Sequence, residues 1–149
     1  MTDAATPTRR ATRESGKATR QSLLRAAGEV FAELGDTASV AQICARANAF
    51  PNQVTYYFGS KEQLFVEVAC AGVLRAGRHA EEAASTATTV REYTHALIGS
   101  LLGAEARNVE MFTTAMLLVS RREDLREHIT TTLRTCLLYT SDAADDSLR

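Results

Sequence analysis

At three places along this 149-residue chain a serine or threonine three residues ahead of a glutamine or glutamate leads into an apolar run: Ser39 and Gln42, Ser60 and Gln63, Thr89 and Glu92. Each pair can close a capping box. The hydroxyl accepts a hydrogen bond from the third helical N–H, and the longer side chain reaches back to the N–H of the cap. An apolar run at helical spacing follows each pair. The pattern marks helix starts at defined places and predicts an all-α fold. Only two prolines interrupt the chain, and one of them, Pro7, lies in the N-terminal tail.

The remaining helices follow from periodicity. Leu23, Leu24, Ala27, Val30, Phe31 and Leu34 share one face and predict a first helix from about Thr19 to Leu34, ended by Gly35. A second helix is predicted over 40–47, with Val40, Ile43, Cys44 and Ala47 inward. A third opens at Pro51, where a missing N–H costs nothing, and runs to Phe58 before Gly59. A long fourth helix covers about 61–84. A fifth carries Tyr93, Leu97, Ile98, Leu101 and Leu102 on one face. A sixth spans about 109–119, and a seventh begins near Glu123.

Charge is uneven. Residues 1–65 hold eight Lys/Arg and six Asp/Glu, and six of those cations (Arg9, Arg10, Arg13, Lys17, Arg20, Arg25) crowd the first helix and its approach. Residues 1–17 read as a disordered basic arm, either a solvated tail or a phosphate-seeking one.

Two short helices with a four-residue break, 48–51, have the dimensions of a helix-turn-helix. The second is rich in groups that suit DNA. Asn52 and Gln53 can each offer a donor and an acceptor to an adenine edge, and Thr55, Tyr56 and Tyr57 can reach phosphates or a thymine methyl. Val54 and Phe58 would pin this helix to the body.

Gly35, Ser39-Val40, Ile43, Ala47 and the run Tyr56-Tyr57-Phe58-Gly59-Ser60-Lys61-Glu62-Gln63-Leu64-Phe65 resemble the head of the tetracycline-repressor (TetR) family. The likeness covers about residues 19–65. It implies a transcriptional repressor that binds a palindromic operator in double-stranded DNA. It also implies a homodimer in the full-length parent and a small-molecule effector of unknown identity. By the same resemblance Ser39, Pro51, Asn52, Gln53, Thr55, Tyr56 and Tyr57 are DNA contacts, and Lys61 is a phosphate anchor at a helix start. Two positions depart from the family pattern. Asn48 replaces the turn glycine, and asparagine tolerates positive φ. Phe50 replaces the capping serine, which removes a cap worth ~0.5–2 kcal/mol.

The expected organisation is a basic arm at 1–17, a DNA-binding head at 18–65, a partial helical regulatory domain at 66–135 and a non-native tail at 136–149. The tail is set apart because residues 136–145 read as the translation of a transposon-end sequencing adapter. Natural sequence is therefore expected to stop at about Thr135, which would leave dimerisation of this chain in doubt.

His95, Met111, Phe112 and Met116 are candidate lining of an effector pocket. His79 and His128 read as ordinary helix residues, and Cys44 and Cys70 as core thiols. The cysteines have no metal spacing, and no nucleophile elbow or phosphate loop is present, so neither an enzyme nor a cofactor is expected. No leader or apolar span of eighteen residues is visible, so the expected place is the cytoplasm, off the membrane. A helical interaction or ligand-binding module that never touches DNA, or an inert fragment of a repressor, stays open as an alternative.

Overall fold

A computed structural model describes the backbone of residues 9–146 and the side-chain surroundings of residues 14–134. Among these residues there are seven α-helices and no strand: α1 (Arg9–Leu34), α2 (Val40–Ala47), α3 (Pro51–Phe58), α4 (Lys61–Ala84), α5 (Val90–Leu102), α6 (Ala106–Ser120) and α7 (Glu123–Asp146). A 3-10 turn, Gly35–Thr37, follows α1. The chain forms two compact units, 1–61 and 62–149, so the division falls four residues ahead of the expected boundary at 65.

The first unit is built on α1. Leu23, Ala26, Ala27, Val30 and Phe31 present one buried face, Ala38, Ile43 and Cys44 a second, and Val54 and Phe58 a third. Each large aliphatic group removed from water here stabilises by roughly 1.5–3 kcal/mol. α1 packs against α2, and α2 against α3. The helix α1 starts at Arg9, ten residues before the expected Thr19. The intervening residues are mostly Arg, Ala, Glu and Lys, which cost little in a helix and carry no amphipathic signal to betray it. Residues 9–17 of the supposed disordered arm are thus helical, and 1–8 lie outside the described residues. Leu34, expected on the inner face, is exposed.

The second unit takes Leu64, Phe65, Val66, Val68, Ala69 and Cys70 of α4 into its buried set, with Met111, Ala115 and Val119 of α6 and Leu125 and Ile129 of α7. Cys44 and Cys70 are free and buried, as expected. Cys136 lies outside the described side chains. α5 packs on α6 and α6 on α7, but α5 buries no residue completely. Leu97 and Leu101 are half-buried, whereas Val90, Tyr93, Ile98 and Leu102 face solvent. The backbone of α7 continues past Thr135 to Asp146.

α4 and α6 meet through a polar cluster. His79 Nδ1 lies 2.7 Å from Glu105 Oε1, and Asn108 Nδ2 donates to Glu105 Oε2 at 2.6 Å. Glu105 is buried at the start of α6. The His79 hydrogen bond, then that of Asn108, holds its carboxyl below the usual carboxylate range against the opposing effect of burial; the charges of His79 and Arg75 add to this. His79 is therefore not the ordinary helix residue its sequence context suggested. Asn108 fits against Gly72, where a Cβ would come within 2.8 Å of its Oδ1.

Candidate nucleic-acid interface

The turn between α2 and α3 is fixed at both ends. Ser39 caps α2 with a complete box: Gln42 N–H donates to Ser39 Oγ at 3.2 Å, and Ser39 N–H donates to Gln42 Oε1 at 2.8 Å. At the other end Asn48 takes the left-handed conformation, φ 51° and ψ 49°. The N–H of Ala49 then donates to the carbonyl of Cys44 at 3.0 Å. Asparagine thus meets the geometry that a glycine would otherwise supply. Arg46 ties α2 to α1 through Glu29 at 3.2 Å and Glu33 at 3.1 Å, and its hydrogen bond and charge lower the Glu33 carboxyl. Ser22 Oγ donates to the carbonyl of Ala47 at 3.2 Å.

α3 is held from beneath by Val54 and Phe58, both buried, with the Arg20 guanidinium over the Phe58 ring at 4.9 Å. Its outer side presents Asn52, Thr55 and Tyr56, spaced i, i+3 and i+4, so they share one face. Tyr56 is 81% exposed. Pro51 is also exposed, at the first helical position. Tyr57 is half-buried and meets Tyr56 edge-on, with centroids 4.9 Å apart at 81°. A Cβ at Gly16 would stand 3.4 Å from its hydroxyl, so the ring reaches the N-terminal part of α1.

Two of the expected contacts have a second occupation. Gln53 is half-buried, and its Oε1 accepts the Phe50 N–H at 2.9 Å. This is one half of a capping box, because phenylalanine has no oxygen to supply the other. An acceptor committed to its own backbone is less free to grip an adenine edge. The glutamine at the third helical position was the sequence signal for this role. Lys61 Nζ donates to the carbonyls of Asp36 and Ala38, each at 3.1 Å. An ammonium has three donors, so one is left for a phosphate oxygen.

The expected effector residues fall on two helices, α5 and α6. His95 lines an open groove along α5 with Val90, Thr94, Ile98 and Leu102. Met111, Phe112 and Met116 lie on α6 and do not line it; Met111 is buried and the other two half-buried. Among the described residues no group of three or more His, Cys, Asp or Glu could hold a metal ion, and no helix is long and apolar enough to cross a membrane.

Comparison with known proteins points to one family. Residues 23–68 match the family described as bacterial regulatory proteins, tetR family, and residues 90–149 match the bacterial transcriptional repressor C-terminal family. No curated protein matches. A candidate transcriptional regulator from Rhodococcus sp. RHA1 is similar at 62% identity and TM-score 0.71, over 78% of this chain and 61% of that one. The multidrug binding protein EbrR, complexed with imidazole, is similar at 25% identity and TM-score 0.54, over 76% of this chain and 62% of its own. A TetR family transcription regulator from Marinobacter aquaeolei VT8 shares the fold at 21% identity and TM-score 0.54. The chain spans about three fifths of the length of the first two, 61% and 62%.

Proposed function

The chain belongs to the TetR family of bacterial regulatory proteins, and from that membership we propose that it is a DNA-binding transcriptional repressor, not an enzyme, acting in the cytoplasm. The observation that carries the reading is the outer face of α3. A helix of eight residues, pinned from below by Val54 and Phe58, holds Asn52, Thr55 and Tyr56 out to solvent. Such a helix fits a major groove, with its N-terminal residues at the base edges.

In this reading Asn52 grips an adenine edge, and Thr55 and Tyr56 reach a phosphate or a thymine methyl. Tyr57 and the third donor of Lys61 contact the sugar-phosphate backbone. Ser39 and Gln53 act mainly as caps that position α2 and α3. Pro51 starts the recognition helix without an N–H that would need a partner. Two copies read a palindromic operator, with heads about 34–36 Å apart. EbrR is a multidrug binding protein seen with imidazole, which supports a small organic effector for the helical unit 62–149. Its differential affinity for two arrangements would shift the population away from DNA.

The test is a fluorescence-anisotropy titration against duplexes selected from a random pool. Lys61→Ala should weaken binding to every sequence and reduce the salt slope by ~1, while Asn52→Ala should cost ~1–3 kcal/mol at one base position. Absence of any salt-dependent binding to duplex by the parent chain would refute the reading.

A further inference from the structure

Phe50 stands at the N-cap of α3, a place where a capping side chain would carry an oxygen. Its backbone is extended, φ −100° and ψ 148°, and its side chain caps nothing. The Gln53 N–H that a capping hydroxyl would take donates instead to the Phe50 carbonyl at 2.9 Å, while Gln53 Oε1 accepts the Phe50 N–H at 2.9 Å. Its ring is left 72% exposed. A large apolar ring held in water at one end of a helix is unfavourable unless something apolar covers it.

The position limits what that cover can be. Phe50 directly precedes the first turn of α3, the part of a recognition helix that meets base edges. Asn52, on that same turn, is exposed beside it. In the major groove base edges offer one apolar feature, the 5-methyl group of thymine. Resting on the DNA-binding reading above, we infer that Phe50 is a specificity-determining residue whose ring packs on the methyl of one thymine in each half-site. The hydrogen bonds of α3 cannot make this distinction, because uracil presents the same 4-oxygen as thymine. Thr55 and Tyr56 can meet a thymine methyl of their own, so a response that disappears on changing Phe50 is what assigns one thymine to the ring.

The experiment replaces thymines by deoxyuridine, one at a time within one half-site of a duplex selected by the parent chain. One thymine should stand out, with its loss of a methyl weakening the parent about fourfold, equivalent to ~0.8 kcal/mol. Phe50→Ala and Phe50→Ser should bind the thymine and uracil duplexes equally. Phe50→Ser also returns a capping hydroxyl, so loss of α3 cannot explain its result. If no thymine responds in the parent, or if the response persists in both variants, the inference falls while DNA binding stands. If the parent selects no duplex at all, both readings fall together.

Discussion

Gly72→Ala separates two opposed effects at the contact of α4 with α6. Glycine in the interior of α4 weakens that helix, and alanine there would favour it by roughly 0.5–1 kcal/mol. A Cβ at this site, however, would stand 2.8 Å from Asn108 Oδ1 and 3.4 Å from its Cγ. The clashing atom ends a side chain, so the amide turns aside and the helices stay in place. Turning breaks the 2.6 Å bond from Asn108 Nδ2 to Glu105 Oε2. Loss of a hydrogen bond from a half-buried amide costs about 1–3 kcal/mol. The second effect exceeds the first, so Gly72→Ala should destabilise by about 1 kcal/mol. A chain of this size should then melt about 2–4 °C lower. The assay is thermal unfolding followed by circular dichroism, with Asn108→Ala as the second background. Once the amide is gone, the same Gly72→Ala change should stabilise. A rise in melting temperature in the parent would refute the packing argument and leave helix propensity alone in control.

Three further outcomes are expected. Because the folded Glu105 carboxyl titrates below its usual value of 4.5, its contribution to stability is full above that range and is lost as pH falls through the folded value. Urea midpoints measured from pH 7 downward should therefore fall less steeply for Glu105→Gln than for the parent; parallel curves would contradict this. Asn48→Gly should leave stability nearly unchanged. Asn48→Ala should cost ~1–2 kcal/mol, because alanine pays for the left-handed conformation that Asn48 occupies at φ 51°. Equal melting of the two variants would show that the turn does not hold that conformation. Ser39→Ala should cost ~0.5–2 kcal/mol through loss of its half of the capping box; an unchanged urea midpoint would show that Gln42 suffices alone.

The parts of the fold legible in the sequence were those with local chemistry at their ends. α2 begins after Ser39, α3 at Pro51, and α4 after Gly59-Ser60, because caps and breakers act within three residues of themselves. The start of α1 escaped, since its charged first turns show no apolar stripe. On α5 the period was visible, yet which side of the helix would be covered depends on neighbours far along the chain. The same limit hid the cluster of His79, Glu105 and Asn108, whose members are up to 29 residues apart. Within the candidate site, residue type pointed to Asn52, Thr55 and Tyr56 as outward groups. For Gln53 residue type alone did not decide, because a side-chain amide satisfies a helix end and a base edge with the same atoms; only its third-position spacing from the cap marked the turn to its own backbone.

Lys61 makes the head intolerant of an exchange that preserves charge. Two carbonyls from separate peptide units converge on its Nζ at 3.1 Å each. A compact ammonium can direct protons to both and still point one outward. A guanidinium spreads its donors over a rigid plane on a longer stem. Arginine at this position would keep the positive sign but could not fill the space between Asp36 and Ala38 in the same way. Shape, more than net charge, decides which cation can stand here.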